Sequence, residues 1–391
     1  MLSGVNVALG VTGSIAAVKT VELAHELQRQ GATVRAVMTS AASRIIHPWA
    51  LSFATGHDVV TEITGGVEHV ELCGRDGWAD VLLVAPGTAN TAGKMAAAID
   101  DTPVTTCATT ALGADVPVVF APAMHEPMYD HPGVLEALET LESWGISLVD
   151  PRIEEGKAKI ASEEAILTAV ARATTPHTLA GTHVVVTAGA TTEYIDPIRV
   201  LTNRASGKTG RAVARACYVR GARVTLVHDG PDVEYAEVER VETADGMLTA
   251  VSEACVTADA LVSAAAIADF TADAVDEKIR SGSPLSVELE PTPKLIDAVR
   301  RAHPDLPIVG FKAETSGDDR AMLREANRIR DRVDLAFVVT NDASVMGETD
   351  TRVLFVAGED DPDDVEEARG SKDVVAGRVA DRLADVLRDD R

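Results

Sequence analysis

The residues of this chain whose types and spacing could do chemistry fall in two groups. The first is the run Asn203-Arg204-Ala205-Ser206-Gly207-Lys208-Thr209-Gly210. Gly207 and Gly210 let backbone approach a ligand closely. The helical pattern that follows, with Val213, Ala216 and Val219 on one side, offers free N–H groups and a positive dipole end. With Arg204 and Lys208 alongside, the run could cradle phosphates; an ordinary strand-to-helix loop is the alternative. It is neither a GxGxxG fingerprint nor a P-loop. The second group sits where successive apolar runs end. It comprises Gly10, Gly13 and Ser14, then Ser40, then Thr88 and Asn90, then Met124-His125-Glu126. Small polar residues at strand ends can be turn chemistry alone, but wound sheets also place their ligands there. His69, in VEHVEL, could serve as a general base near neutral pH, although a histidine in an amphipathic stretch is more often structural.

Short β-branched runs supply the strands that would position these residues: Val5 to Leu9, Val34 to Met38, Ala79 to Pro86, Val116 to Met124 and Val184 to Thr187. A helix with Val18, Val21, Ala24 and Leu27 inside is expected after the first. Ala258 to Phe270 reads as a further buried strand ending at Asp269. Leu23 to Met38 and Val213 to Val227 both run helix, Gly-Ala, strand, which predicts two βα-type domains built alike. The Pro/Thr/Gly-containing junction Ala171 to Gly181 places the boundary near Thr175.

The 391 residues suit two domains, and the strand–helix–strand order suits the α/β class. Acids outnumber bases 61 to 36, a formal net charge of −25, which repels nucleic acid and offers membranes no basic patch. Nine lysines beside 27 arginines, with 3% aromatics, resemble a protein of a salt-rich cytoplasm. Cys73, Cys107, Cys217 and Cys255 form no metal-type spacing and read as buried free thiols. No apolar run approaches the roughly 18 residues of a membrane span. A soluble cytoplasmic protein is expected, with no signal peptide.

The string AGATTEYIDPIRVLTNRASGKTG, from Ala188 to Gly210, resembles the signature of phosphopantothenate–cysteine ligases of coenzyme A biosynthesis. Further likenesses are AAAIADF followed by Glu277-Lys278-Ile279, the turn Pro291 to Ile296, the run VGFKAET from Val309 to Thr315, and Thr340-Asn341-Asp342-Ala343-Ser344. The resemblance implies nucleotide contacts at Gly189, Ser206, Gly207, Asp269, Lys278, Lys294 and Phe311. It also implies activation of the phosphopantothenate carboxylate by CTP with Mg2+. The acyl-cytidylate would be held by Asn203, and Lys278 would offset charge on the leaving phosphate. No protein ligand to the metal is implied, and CTP rather than ATP rests on the resemblance alone. Where relatives place lysines, this chain has Asn327 and Asp331; Arg328, Arg330 or Arg332 are the candidate replacements.

The first half resembles the flavin-dependent cysteine decarboxylases through GVTGSIAAVK, APGTANT and PAMHEPMY. That resemblance implies FMN held by Gly13, Ser14, Ser40, Thr88 and Asn90, with His69 as the catalytic base. Oxidation of the cysteine moiety to a thioaldehyde, with FMN as acceptor, would stabilise the carbanion left by loss of CO2. His125 stands where the family has asparagine and would meet the substrate carboxylate, best as a neutral ring. The stretch Pro151 to Lys159 lacks the flap cysteine of bacterial relatives, so the final reduction needs another proton source; Lys157 or Lys159 could contact the substrate phosphate.

Together these resemblances imply an α/β protein of two Rossmann-like three-layer domains. Residues 1–175 would form a flavodoxin-like FMN decarboxylase domain, and residues 176–391 a CTP-dependent ligase domain. They imply small-molecule substrates and a homo-oligomer with flavin between N-terminal domains and with ligase domains paired. A second reading keeps only the ligase active and gives the N-terminal domain a flavin-binding, regulatory or assembly role.

Overall fold

The computed structural model describes residues 1–154, 157–280, 282, 285–314, 319–342, 350–358 and 365–389. Thr315, Ala343 and Ser344, read above as parts of motifs, lie outside the described residues, as does the side chain of Lys157. The chain divides into two units, Met1–Thr175 and Pro176–Arg391.

The first unit begins β1 (Asn6–Val11), α1 (Thr20–Arg29), β2 (Thr33–Met38), α2 (Pro48–Thr55), α3 (Glu68–Cys73) and β3 (Val81–Gly87). Next come α4 (Ala89–Ala96), α5 (Pro103–Gly113), β4 (Val118–Pro122), β5 (Met124–His125), α6 (Glu126–Tyr129) and α7 (Pro132–Ser143). It closes with β6 (Ser147–Leu148), β7 (Arg152–Glu154), β8 (Lys157–Lys159) and α8 (Glu163–Thr174). The parallel sheet runs β2-β1-β3-β4-β6, the flavodoxin-like order. Every residue of β3 and β4 is buried, as strands covered on both faces require. Ala8, Leu82, Val84 and Phe120 pack on one face with Leu72, Met95, Val104 and Leu141. Helices α1 and α8 lie on the other face.

A tight 3-10 turn, Ile15–Lys19, precedes α1. It changes the rotation per residue, so Thr20, Leu23, Ala24 and Leu27 turn inward while Val18, expected inside, is exposed.

The second unit begins β9 (His183–Thr187), β10 (Thr192–Tyr194), β11 (Val200–Thr202), α9 (Lys208–Val219), β12 (Arg223–His228) and β13 (Glu237–Arg240). Then come α10 (Ala244–Ala254), β14 (Ala260–Ser263), β15 (Phe270–Thr271), β16 (Glu290–Pro291), α11 (Leu295–Ala302) and β17 (Ile308–Glu314). The remainder is α12 (Asp319–Val333), β18 (Phe337–Asp342), β19 (Asp350–Val356), β20 (Glu366–Ser371) and α13 (Lys372–Asp389). The sheet order β13-β12-β9-β14-β17-β18 is the Rossmann order, extended by the antiparallel strands β19 and β20. Successive valines of β9 serve opposite faces. Val184 and Val186 meet α9 and α13, and Val185 joins the core under α10, α11 and α12.

Strand β14 stops at Ser263, short of the Asp269 expected. Beyond it the backbone turns out of the sheet, where Ala264 and Ala265 donate to the Thr187 hydroxyl at 3.1 Å and Ala266 donates to the Gly189 carbonyl at 2.8 Å.

Candidate functional sites

In each unit the strand order reverses beside the first strand, and the loops there meet at the carboxyl edge of the sheet. In the first unit, a Cβ added to Gly13 would lie 2.5 Å from the Ala41 Cβ, so the loop after β1 closes on the loop after β2. The buried Thr12 hydroxyl donates to the Pro86 carbonyl at 2.5 Å and accepts from the Thr88 N–H at 3.2 Å, tying in the loop after β3. Gly13, Ser14, Ser40, Thr88 and Asn90 are therefore brought to one edge by neighbouring strands. Ser14 caps the 3-10 turn, accepting from Ala16 N at 3.4 Å, and Thr88 caps α4, accepting from Thr91 N at 3.3 Å. Ser40 and Asn90 are exposed. Neutral hydroxyl and N–H donors at a helix start suit a single phosphate. Ile15, Trp49 and Phe53, all more than 75% exposed, offer apolar surface nearby in the chain. The donor set fits a flavin phosphate.

His69 lies on α3, a helix that packs on α5; its Nδ1 is buried without a hydrogen-bond partner among the described residues. Just before it Val67 sits at φ 50, a left-handed conformation that β-branched residues avoid. His125 is exposed on β5 and pairs with Lys157 of β8, which pairs in turn with β7. The histidine motif thus shares one three-stranded sheet with Arg152–Glu154 and Lys157–Lys159, a pairing that local sequence does not reveal; Glu155 and Gly156 lie outside the described residues.

In the second unit Gly207 is the N-cap of α9 at φ 70. A Cβ there would lie 2.9 Å from Gly189 N, and one on Gly210 would lie 2.8 Å from the Thr187 carbonyl. Gly189 itself sits at φ 86. The glycines thus bring α9 against the end of β9. Ser206 is exposed, and its carbonyl accepts from Arg211 Nη2 at 3.0 Å. Asn203 Nδ2 donates to the Ala266 carbonyl at 3.0 Å, across the switch point.

Asp269 and Lys294 form an ion pair with each other, both side chains more than half exposed. Phe311 is partly buried and packs against the core, which makes it a wall rather than a free contact. Lys278 is exposed, and no hydrogen bond or ion pair engages it among the described residues. The three arginines expected to replace lysines on α12 are already engaged. Arg328 pairs with Glu325, Arg330 with Asp331 and the Gly358 carbonyl, and Arg332 with Asp297 at 3.0 Å. Any of the three would have to leave its acidic partner to meet a phosphate.

Two buried carboxylates lacked a role in the sequence reading. Glu193 accepts from Ala244 N at 2.8 Å and Thr271 Oγ1 at 2.9 Å. Asp196 accepts from Ile198, Arg199 and Ile279 N–H groups and from the Arg199 guanidinium. Burial pushes the Asp196 carboxyl up, but these donors outweigh it and hold it at about 2. Both stand in the motif Thr191 to Arg199, which was their only signal.

Residues 1–175 match the flavoprotein family model, and residues 179–387 match that of the DNA/pantothenate metabolism flavoprotein C-terminal domain. The chain is thus a two-domain flavoprotein of pantothenate metabolism. It is similar to the coenzyme A biosynthesis bifunctional protein CoaBC of Thermococcus kodakarensis, 47% identical over 91% of this chain and 89% of that protein. It is also similar to the proteins of the same name from Methanocaldococcus jannaschii (33%, 99% and 95%) and Bacillus subtilis (33%, 91% and 91%). The chain belongs to the CoaBC family of bifunctional coenzyme A biosynthesis proteins. It is a bifunctional enzyme with phosphopantothenoylcysteine decarboxylase and phosphopantothenate–cysteine ligase activities. No helix among the described residues is long and apolar enough to cross a membrane.

Proposed function

We propose that the second unit couples cysteine to 4'-phosphopantothenate using CTP and Mg2+, and that the first unit, holding FMN, decarboxylates the product to 4'-phosphopantetheine. The meeting of small-residue loops at each switch point carries this reading. In the ligase, the exposed N-terminus of α9, with Gly189, Ser206 and Gly207, receives nucleotide phosphates, and Mg2+ carried in with the nucleotide would offset their charge. Asn203 orients the acyl-cytidylate, and Lys278 balances charge developing on the leaving phosphate. Asp269, Lys294 and Phe311 border the nucleotide. The cysteine amine attacks the acyl carbon of the cytidylate and CMP departs with the C–O bond electrons, whereas the free carboxylate has no good leaving group.

In the decarboxylase, Gly13, Ser14, Ser40, Thr88 and Asn90 bind FMN. When bound, it supplies reversible two-electron oxidation of the substrate cysteine. His69 takes the proton and orients the substrate, its unpartnered Nδ1 leaving the ring free of a competing intramolecular bond. His125 donates to the substrate carboxylate, and Lys159 on the adjoining strand β8 stands beside the substrate phosphate. The exposed Ile15, Val18, Trp49 and Phe53 support burial against a second copy around the flavin. Tyr194, Ile198, Val200 and Phe270 support pairing of ligase units. The four buried free thiols suit a reducing cytoplasm.

One incubation with 4'-phosphopantothenate, cysteine, CTP and Mg2+, followed by mass spectrometry, tests the reading. 4'-Phosphopantetheine is expected. Accumulation of phosphopantothenoylcysteine by flavin-loaded protein would overturn the decarboxylase roles. ATP supporting the reaction as well as CTP would overturn the nucleotide assignment. Light scattering at high salt should give an oligomer, and a monomer would overturn the pairing.

A further inference from the structure

The loop from Ile195 to Arg199 joins β10 to β11, and the segment carrying Lys278 lies between β15 and β16. Two hydrogen bonds link these irregular segments. Val275 N donates to the Ile195 carbonyl at 3.1 Å, and Ile279 N donates to Asp196 Oδ2 at 3.1 Å. Asp196 is 1% exposed, and its two oxygens divide the work. Oδ1 accepts from Ile198 N and Arg199 N, both at 2.8 Å, and so shapes its own turn. Oδ2 accepts from the Arg199 guanidinium and from Ile279 N. A carboxylate has about four acceptor positions, and all are used. Glu193, on β10 itself, repeats the device, tying that strand to α10 and to Thr271.

Lys278 immediately precedes Ile279, is exposed, and is held by no contact of its own among the described residues. A long flexible cation gains little unless its backbone is fixed. We propose that Asp196 is a positioning residue for ligation: its Oδ2 anchors Ile279 N and thereby sets Lys278 over the reacting phosphate. This deepens the ligase reading above and rests on the role given there to Lys278.

The Asp196→Asn change is nearly isosteric and separates the two functions. The remaining oxygen can keep the turn, while the amide NH2 opposes the Ile279 N–H and the Arg199 guanidinium, donor against donor. Trypsin nicking of the full chain at the Lys278–Ile279 bond, resolved by mass from cleavage after Arg280, should accelerate on the order of tenfold. Unchanged nicking overturns the anchor. Ligation is then followed as pyrophosphate release for Asp196→Asn, Lys278→Ala and the double variant. Asp196→Asn should lower kcat on the order of 10- to 100-fold with little change in KM, and the double variant should fall no further than Lys278→Ala. Multiplying losses overturn the proposal while leaving Lys278 its role. A fully active Lys278→Ala overturns the role of Lys278, and the nicking result then stands apart as the test of the anchor. If Asp196→Asn does not fold, Ile279→Pro removes the same N–H from the other side and should reproduce the loss of kcat, with nicking then read after Arg280 because trypsin does not cut before proline.

Discussion

The two switch points use one device and then diverge. In each, a buried threonine at the end of the first strand holds the loop of the neighbouring strand: Thr12 with Pro86 and Thr88, Thr187 with Ala264 and Ala265. After Thr12 the chain turns at once into a 3-10 turn capped by Ser14, with no cation before Lys19. After Thr187 it detours through the hairpin β10–β11, adding Asn203 and Arg204 before α9 and Lys208 at its first position, and the N-cap Gly207 brings no side chain to cap the helix. A resident cofactor with one phosphate can be held by neutral donors in a short, rigid loop. On the proposed reading, a triphosphate that must enter, react and leave calls for positive charge on a longer frame.

The sharpest test of separability is His69→Asn, expected to cut CO2 release by about 10²–10⁴-fold while pyrophosphate release is unchanged. Loss of both would break the comparison into a single coupled machine. Next in size is Gly207→Ala. The left-handed backbone costs an L-residue roughly 1–2 kcal/mol, and the new Cβ would approach Gly189 N to 2.9 Å. Ligation should fall and the second unit melt earlier, with flavin retention by the first unit unaffected. Gly13→Ala should do the reverse through its contact with Ala41. Smaller again are Thr12→Val and Thr187→Val, each expected to cost roughly 1–3 kcal/mol of its own unit's stability by leaving buried groups unpaired. Unequal losses in thermal unfolding would show that the shared device is not shared energetically.

The smallest effect appears only in acid. Asp196 and Glu367 are both held at about 2, the latter by hydrogen bonds from Arg352 and Arg369. Both lie below the ordinary carboxylate range near 4, so the unfolded chain binds protons first as pH falls. Their contribution is complete above about pH 4 and is lost toward pH 2. Circular dichroism should show the second unit weakening in that window, with Asp196→Asn narrowing the loss. Added salt should raise stability near neutrality, because a formal charge of −25 repels itself.

Much of this was legible in the sequence where the signal is local. The valine runs of β9 and the Val-Leu-Leu-Val run of β3 announce buried strands, and Gly13, Gly207 and Gly210 announce close approaches. What was not legible depends on partners far along the chain. Arg328, Arg330 and Arg332 look like free cations until Glu325, Asp331 and Asp297 are placed beside them. The apolar run after Ser263 reads as strand because nothing nearby indicates that Thr187 will draw its N–H groups aside. Val18 misled for a different reason: a single 3-10 turn shifts the phase of an otherwise correct helical pattern.

Helix α13 has a consequence for how the chain is made. Val375, Ala376, Val379, Ala380, Leu383 and Ala384 are all buried in the same cluster as Val184 and Val186 of β9. Arg215 and Arg220 of α9 pair with Asp373 and Asp381 at 2.5 and 2.7 Å. A ribosome must therefore deliver the chain through about Ala384 before the sheet of the second unit can close its second face. The flavoprotein sheet draws every strand from residues before Thr175 and can close much sooner. Nascent chains stalled before and after α13 should differ in protease resistance in the second unit alone.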